Sequence, residues 1–298
     1  MTAPEISVVL PVWNRAATLR RAIDTVLAQQ GVGFELVVVD DGSTDDSVAV
    51  AEAVQDPRLR VIRHPANKGA GAARNTGIAA ARGGWVAFQD SDDAWLPGML
   101  ARQMAALAAM PQAVACYCAL RIEADPPRQV PPPGHEPVAG DLRAALLRGS
   151  FISTQTLVAR RDALERIGGF DADLPALIDW DCVIRLSALG PIAHVPEALV
   201  VQRFSENSIT RYPERRRQAQ EMILQRHHAA LAARPEILAL HHRRLAGAWR
   251  RSGDHATARR HIDAALRLQP LSPALWALRL WLMVGWRPRK DSNPQPGD

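Results

Sequence analysis

The sequence predicts an α/β protein: a parallel sheet flanked by helices, followed by a C-terminal helical appendage. Three observations carry this expectation. Residues 6–10 and 36–39 are short apolar runs rich in β-branched side chains, as strands covered on both faces require. Between them Leu19, Ile23, Val26 and Leu27 recur at helical spacing, giving the strand–helix–strand alternation of a parallel, right-handed sheet. Beyond about residue 212 β-branched residues become scarce and Arg, His, Ala and Leu dominate, a helical composition.

The first strand runs into Pro11-Val12-Trp13-Asn14-Arg15, where Asn14 is expected to cap the following helix. The second closes on Asp40-Asp41-Gly42-Ser43-Thr44-Asp45, with Ser43 or Thr44 expected to cap a helix reaching about Val54. A short third strand is expected at residues 61–63. It leads into a stretch with Gly69, Gly71 and Gly77, whose missing side chains let backbone approach a ligand or a neighbouring helix; Lys68 and Arg74 add positive charge. This is neither a Walker loop nor Gly-x-Gly-x-x-Gly, and a close-packed Gly/Ala helix accounts for the same residues.

Residues 85–88 form a fourth apolar run that ends in three carboxylates, Asp90, Asp92 and Asp93. Open α/β sheets bind ligands at the carboxyl edge of their strands. Carboxylates this close repel unless a cation sits among them, and their hard oxygens suit Mg²⁺ or Mn²⁺ bridging to substrate phosphates. Taken alone, an Asp-x-Asp turn reads first as a solvated acidic turn, since so short a motif matches often.

Four stretches, Leu10-Pro-Val-Trp-Asn-Arg, Val39-Asp-Asp-Gly-Ser-Thr-Asp, Asn67-Lys-Gly-x-x-x-Ala-Arg-Asn-x-Gly and Gln89-Asp-Ser-Asp-Asp-x-Trp-x-Pro, occur in an order and spacing that closely resemble family 2 glycosyltransferases. The resemblance implies a GT-A fold, with a Rossmann-like mixed sheet flanked by helices, a nucleotide-diphosphate sugar donor, a divalent metal (Mg²⁺ or Mn²⁺) and inversion at the anomeric carbon. It implies that Pro11, Asn14 and Arg15, with Asp40 and Asp41, hold the nucleobase and ribose, and that Lys68 and Arg74 lie near the donor. Asp90 resembles the ribose-side member of the acidic pair, Asp92 the metal ligand and Asp93 a supporting carboxylate. A UDP-linked donor is expected, with a hydroxyl of a saccharide or lipid-linked acceptor, in cell-envelope polysaccharide or glycan synthesis.

Farther along, Pro97 is expected to open a helix, residues 113–120 a strand, and residues 126–140 a Pro-rich loop that either touches the acceptor or is a surface insertion. A strand at 153–159 and a helix at 160–167 lead to Gly168-Gly169-Phe170-Asp171 and then Ile178-Asp179-Trp180-Asp181. The latter again resembles the family, in which a Glu-Asp pair precedes the Trp-Asp. Asp179 takes the position of the general base, and Ile178 replaces the customary Glu. Asp181 is read as structural and His194 as a packed histidine. Ser208 and Arg211 resemble residues of the family's closing segment near the diphosphate.

The expected division is a catalytic domain at 1–211, a helical region at 212–290 and a disordered tail at 291–298. Residues 245–270 resemble one tetratricopeptide-like hairpin, with Gly253 at the turn and Pro270 as terminator. The Trp-rich segment after it is followed by Arg287-Pro-Arg-Lys; peripheral membrane contact, packing on its own domain and a homodimer all fit that pattern. Three cysteines, Cys116, Cys118 and Cys182, fit reduced thiols rather than a disulfide framework. Without a leader-like amino terminus or an apolar span of about 20 residues, the expected location is cytoplasmic, or peripheral on the inner membrane face. A net charge of +5 permits an anionic substrate or surface, but basic residues without interleaved sheet aromatics exclude nucleic acid as the expected partner. The alternative is a noncatalytic nucleotide-sugar binder or scaffold of the same fold. A nucleotidyltransferase would carry a Gly-rich basic loop after its first strand, where this chain has Pro11-Val-Trp-Asn-Arg.

Overall fold

The computed structural model describes residues 3–124, 126–132, 134–135, 138–203 and 212–284. The expectations for Ser208, Arg211 and the tail at 291–298 lie outside the described residues. The chain divides into two compact units, Met1–Ala219 and Gln220–Asp298.

In the first unit β1 (Ile6–Val12) pairs in parallel with β2 (Phe34–Asp40) and β4 (Trp85–Phe88), and β2 with β3 (Leu59–Arg63). Every residue of β1 and β2 is buried, which explains why these strands read as apolar runs rather than alternations. Ile6, Val8 and Leu10 share a core with Leu19, Ile23 and Val26 of α1 (Ala16–Leu27). Val9 points to the opposite face, as strand alternation demands, and meets α3 (Ala70–Ala80). A Cβ on Gly77 would lie 2.2 Å from Val9 Cγ1, so this glycine exists for the close seating of helix on sheet. α2 (Ser47–Glu52) lies between β2 and β3 in sequence.

Both expected caps are corrected. Arg15, not Asn14, precedes α1, and Asp46, not Ser43 or Thr44, precedes α2. The side chains of Asn14, Ser43 and Thr44 are spent joining two loops, as described below.

β4 continues through the acidic turn into β5 (Ala94–Trp95), and α4 (Met99–Ala109) starts after Gly98, whose φ of +79° makes the entry turn. Pro97 therefore lies just before the helix rather than in its first turn. β6 (Ala115–Ile122) follows, and β7 (Arg128–Val130) pairs antiparallel with its end, giving the Pro-rich segment a short strand where a loop is expected. α5 (Arg143–Arg148), which the sequence reading missed, comes next. A 3-10 turn at Thr154–Thr156 opens β8 (Leu157–Arg160), so the strand is shorter than expected. α6 (Arg161–Arg166), α7 (Ile178–Leu186) and β9 (Ile192–Gln202) complete the unit. The strand order is β3-β2-β1-β4-β8-β6-β9-β5, and β8 runs antiparallel to both β4 and β6. The sheet is thus mixed, with a parallel half that puts the carboxyl ends of β1 to β4 on one edge.

Cys116, Cys118 and Cys182 are free and buried, and burial pushes the Cys118 and Cys182 thiols up to about 12. His194 stacks on Tyr117 with ring centroids 4.5 Å apart, as a packed histidine does.

α8 (Pro213–Arg226) crosses from one unit to the next, and α9 (His228–Ala232) follows. α10 (Pro235–Arg251) and α11 (His255–Leu268) form the hairpin, with Gly253 at φ +87° in the turn. Asp254 caps α11 by accepting from Thr257 N–H at 2.8 Å. α12 (Pro273–Val284) lies on α11, with Leu275 and Leu282 joining Ala258, Ile262 and Ala265 in a separate core. Among the described residues no helix is long and apolar enough to cross a membrane.

Candidate active site

The carboxyl edge of β1 to β4 gathers most of the singled-out residues. Asn14 takes φ 52°, a left-handed conformation that asparagine tolerates better than most residues. This turns its N–H toward Ser43 Oγ at 3.0 Å and its Oδ1 toward Thr44 N–H at 2.8 Å. The loop after β1 is thereby tied to the loop after β2. Arg15 N–H donates to Ser47 Oγ at 2.8 Å, and the Arg15 side chain reaches 3.9 Å from Asp92. Pro11 is buried within β1 opposite Val39 and contributes backbone shape rather than a polar group.

Asp40 ends β2, Asp41 follows it, and both are buried. Asp40 accepts from Ser43 N–H at 3.3 Å through either oxygen. Asp41 is occupied more fully: it accepts from the backbone N–H of Lys68 at 3.0 Å and of Gly69 at 2.7 Å, and lies 2.7 Å from His64 Nδ1. His64 Nε2 is 2.9 Å from Thr76 Oγ1 on α3. Lys68 therefore enters this network through its backbone, while its side chain is exposed. Gly42, at φ +72°, packs against Ala66 and Asn67 so closely that a Cβ would fall 2.6 Å from Ala66 carbonyl carbon.

The acidic turn is tight, with Asp93 N–H donating to Asp90 C=O. Arg21 of α1 donates to Asp92 C=O at 2.6 Å. Arg74, almost wholly buried on α3, donates to Asp90 Oδ1 at 2.5 Å and lies 5.6 Å from the Phe170 ring centroid. Asn75 and Phe170 exchange hydrogen bonds at 2.8 and 2.7 Å, which fixes that ring beside Arg74. Asp93 is buried and accepts from Arg203 N–H at 3.1 Å. Burial, then the charges of Asp90 and Asp92, push its carboxyl up to about 9.

Asp179 stands in the first turn of α7, whose entry residue Leu177 has φ 58°. Among the described residues Asn14 and Leu177 are the non-glycine residues with positive φ. Asp179 accepts from Trp180 N–H at 2.8 Å. Burial raises its carboxyl above the ordinary range; the Trp180 N–H and the Arg74 charge oppose this, and the Asp90 charge adds to it. Asp181 is fully buried and receives Arg185 Nε at 2.8 Å; Arg185 also donates to the carbonyls of Ile167 and Gly169. That is the structural role expected of it, since it anchors the Gly168-Gly169 turn to α7.

The structure thus joins Arg74 with Asp90 and Arg15 with Asp92, sets Asp179 within the electrostatic reach of the first pair, and assembles Asn14, Asp40 and Asp41 at the neighbouring strand ends. Sequence reasoning missed His64 and Arg21. His64 directly follows a strand, the one signal available for it; Arg21 sits on a helix face with no motif. Among the described residues no group of three or more His, Cys, Asp or Glu side chains could hold a metal ion. Asp90 and Asp92 nevertheless offer the donor class that Mg²⁺ and Mn²⁺ use when phosphate oxygens and water supply the remaining ligands. The two side chains by themselves do not make a self-sufficient metal cage.

Residues 7–168 match the model of Glycosyl transferase family 2. The succinoglycan biosynthesis protein ExoO of Rhizobium meliloti (strain 1021) is 48% identical over 101 residues, which are 34% of this chain and 29% of ExoO. The protein MT1568 of Mycobacterium tuberculosis (strain CDC 1551 / Oshkosh) is 32% identical over 217 residues, 67% of each chain. Among solved structures, S. aureus TarS 1-349 in complex with UDP-GlcNAc is similar with a TM-score of 0.73 at 20% identity, covering 94% of this chain and 87% of that one. The mannosyltransferase PcManGT from Pyrobaculum calidifontis, in complex with GDP-Man and Mn²⁺, gives 0.62 at 20% identity, with 95% and 85% covered. These likenesses bear out the GT-A type mixed sheet, and the extent of the family match settles the wider question: the chain belongs to glycosyl transferase family 2.

Proposed function

We propose that this protein transfers a sugar, with inversion, from a nucleotide-diphosphate donor to a hydroxyl of a saccharide or lipid-linked acceptor, in cell-envelope polysaccharide synthesis. The observation that carries the proposal is the convergence on one sheet edge of the acidic turn, the buried Arg74 and the half-buried Asp179. The UDP-GlcNAc complex of TarS supports a UDP-sugar donor, and the succinoglycan biosynthesis named for ExoO supports a polysaccharide product. The free, buried cysteines support a cytoplasmic site of action.

In this reading the loops after β1 and β2 receive the nucleoside. Asp40, with acceptor capacity beyond its contact to Ser43, takes a base or ribose donor, and Asn14 and Arg15 shape the floor. Asp41 keeps the Lys68–Gly69 backbone in place beneath the donor. Arg74 orients Asp90, and Asp92 would hold the divalent cation. A bound divalent cation would offset charge on the leaving diphosphate. Asp179 takes the proton of the acceptor hydroxyl as its oxygen attacks the anomeric carbon and the bond to the diphosphate breaks. A carboxyl raised toward the working pH by burial suits that task, because a stronger base results once it is ionised. Ile178, in the position of the family's Glu, removes a like charge that would otherwise raise it further.

Calorimetric titration with UDP, GDP and other nucleoside diphosphates and their sugars, with and without Mn²⁺, tests the proposal. Metal-dependent binding of one nucleotide, lost in Asp92→Asn, is the expected result. Retained metal-dependent binding in that variant would remove Asp92 from the metal's shell. Absence of nucleotide binding in wild type would overturn the proposal and leave the scaffold reading.

A further inference from the structure

We infer that the outward face of α12 is a docking surface for an anionic lipid bilayer. The inner stripe of this helix, Leu275, Leu278 and Leu282, packs toward α11, where Arg279 also pairs with Asp263 at 2.7 Å. The outer stripe is apolar as well. Trp276 is 45% exposed, Leu280 57% and Trp281 48%. Helical geometry sets Trp276 and Leu280 one turn apart with Trp281 beside them, so the three form one patch. Leu271, 92% exposed just before the helix, lies at its entrance. An exposed contiguous apolar patch on a helix that already buries its other face marks an interaction surface.

Charge selects the occupant. Residues 220–298 contain thirteen Lys or Arg against six Asp or Glu, whereas residues 1–219 contain 23 against 25. The whole positive excess of the chain therefore belongs to the helical unit. Between residues 271 and 284 the only charged side chain is Arg279, and residues 285–290 add Trp286, Arg287, Arg289 and Lys290 with no acid. Arg250 lies over the Trp281 ring at 4.3 Å, and Arg279 over the Trp276 ring at 5.7 Å. Among the described residues Arg250 has no carboxylate partner, and its Nε is buried without a hydrogen bond. A second copy meeting this face would bring two such positive units together. An anionic headgroup layer instead meets the guanidinium groups with opposite charge, while the indoles and Leu280 enter the acyl boundary.

This inference stands apart from the transferase reading. The test is flotation of the full chain with vesicles of phosphatidylcholine alone or mixed equally with phosphatidylglycerol, at low and high salt. Binding to the anionic vesicles is expected, weakened by salt. Replacing exposed apolar groups in Trp276→Ser/Leu280→Ser/Trp281→Ser should lower the partition coefficient by more than about tenfold. Arg250→Gln should lower it by about fivefold, the share of one basic residue near such a surface. Circular dichroism and solution mass, measured alongside, are expected to match wild type for both variants. Equal partition onto both vesicle types, no partition at all, or a triple variant that binds like wild type would overturn the inference. A wild-type dimer that the triple variant converts to monomer would overturn it in favour of a second copy.

Discussion

Arg74 Nη2 lies 2.5 Å from Asp90 Oδ1, with the arginine side chain 8% exposed and the aspartate 26%. The pair joins the glycine-rich helix to the acidic turn across the sheet edge. Its exposure places it between a surface ion pair, worth little, and a buried one whose breakage is costly. Arg74→Met should lower the unfolding free energy by about 1–3 kcal/mol, the cost of leaving a charged acceptor without its donor. Urea melts measure this. A change within error would mean that water already screens the contact.

The raised Asp179 carboxyl bears on pH dependence. A base must be ionised, so transfer should rise with pH through a value above the ordinary carboxylate range. Asp179→Asn should bind donor normally while transfer falls about 10²–10⁴-fold and the acidic limb of the rate profile disappears. Normal turnover in that variant would assign the proton to another group.

Gly77→Ala tests the seating of α3 on β1. Alanine favours a helix over glycine, yet its Cβ would press on Val9 from 2.2 Å. Overpacking should outweigh the propensity gain and leave a net loss of about 1–2 kcal/mol. A more stable variant would show that α3 can shift.

In the helical unit His242 Nδ1 is 3.0 Å from His261 Nδ1, and His261 Nε2 is 3.3 Å from Glu221. Burial, then the charges of His261, His241, Arg267 and His228, hold His242 down at about 4, against 6.5 in an open chain. Between those values the unfolded chain binds more protons than the folded one, so stability is full above about pH 6.5 and falls as pH drops toward 4. His242→Gln should reduce the difference between melting temperatures at pH 7.5 and 5. An unchanged difference would assign the loss to other groups, with His261, also shifted down by burial, the first to try.

How much of this was legible in the sequence follows from where each signal resides. β1, β2 and β4 announced themselves because a strand covered on both faces must be apolar throughout. Asn14, Ser43 and Thr44 misled because the chemistry that caps a helix also ties loops together, and only tertiary placement decides between these uses. α5, β7 and the 3-10 start of β8 are too short for periodicity to register. In the site, the residue types were readable from motif order, but their partners were not. The clasp of Asp41 on backbone N–H groups of Lys68 and Gly69, and the part of His64 in it, depend on a loop conformation that no local pattern encodes.

β5 and Asp93 find their partners about a hundred positions farther along the chain: Ala94 and Trp95 pair with Val201 and Val200, and Asp93 accepts from Arg203. A ribosome delivers β1 to β4 long before it delivers β9, so the parallel half can form while the acidic turn still lacks its outer wall. Contacts of such sequence separation are slow to close, because loop entropy is lost before they reward it. Assembly of the nascent chain therefore has a built-in order, with the parallel platform of β1 to β4 first and a finished acidic turn only once β9 has threaded between β6 and β5.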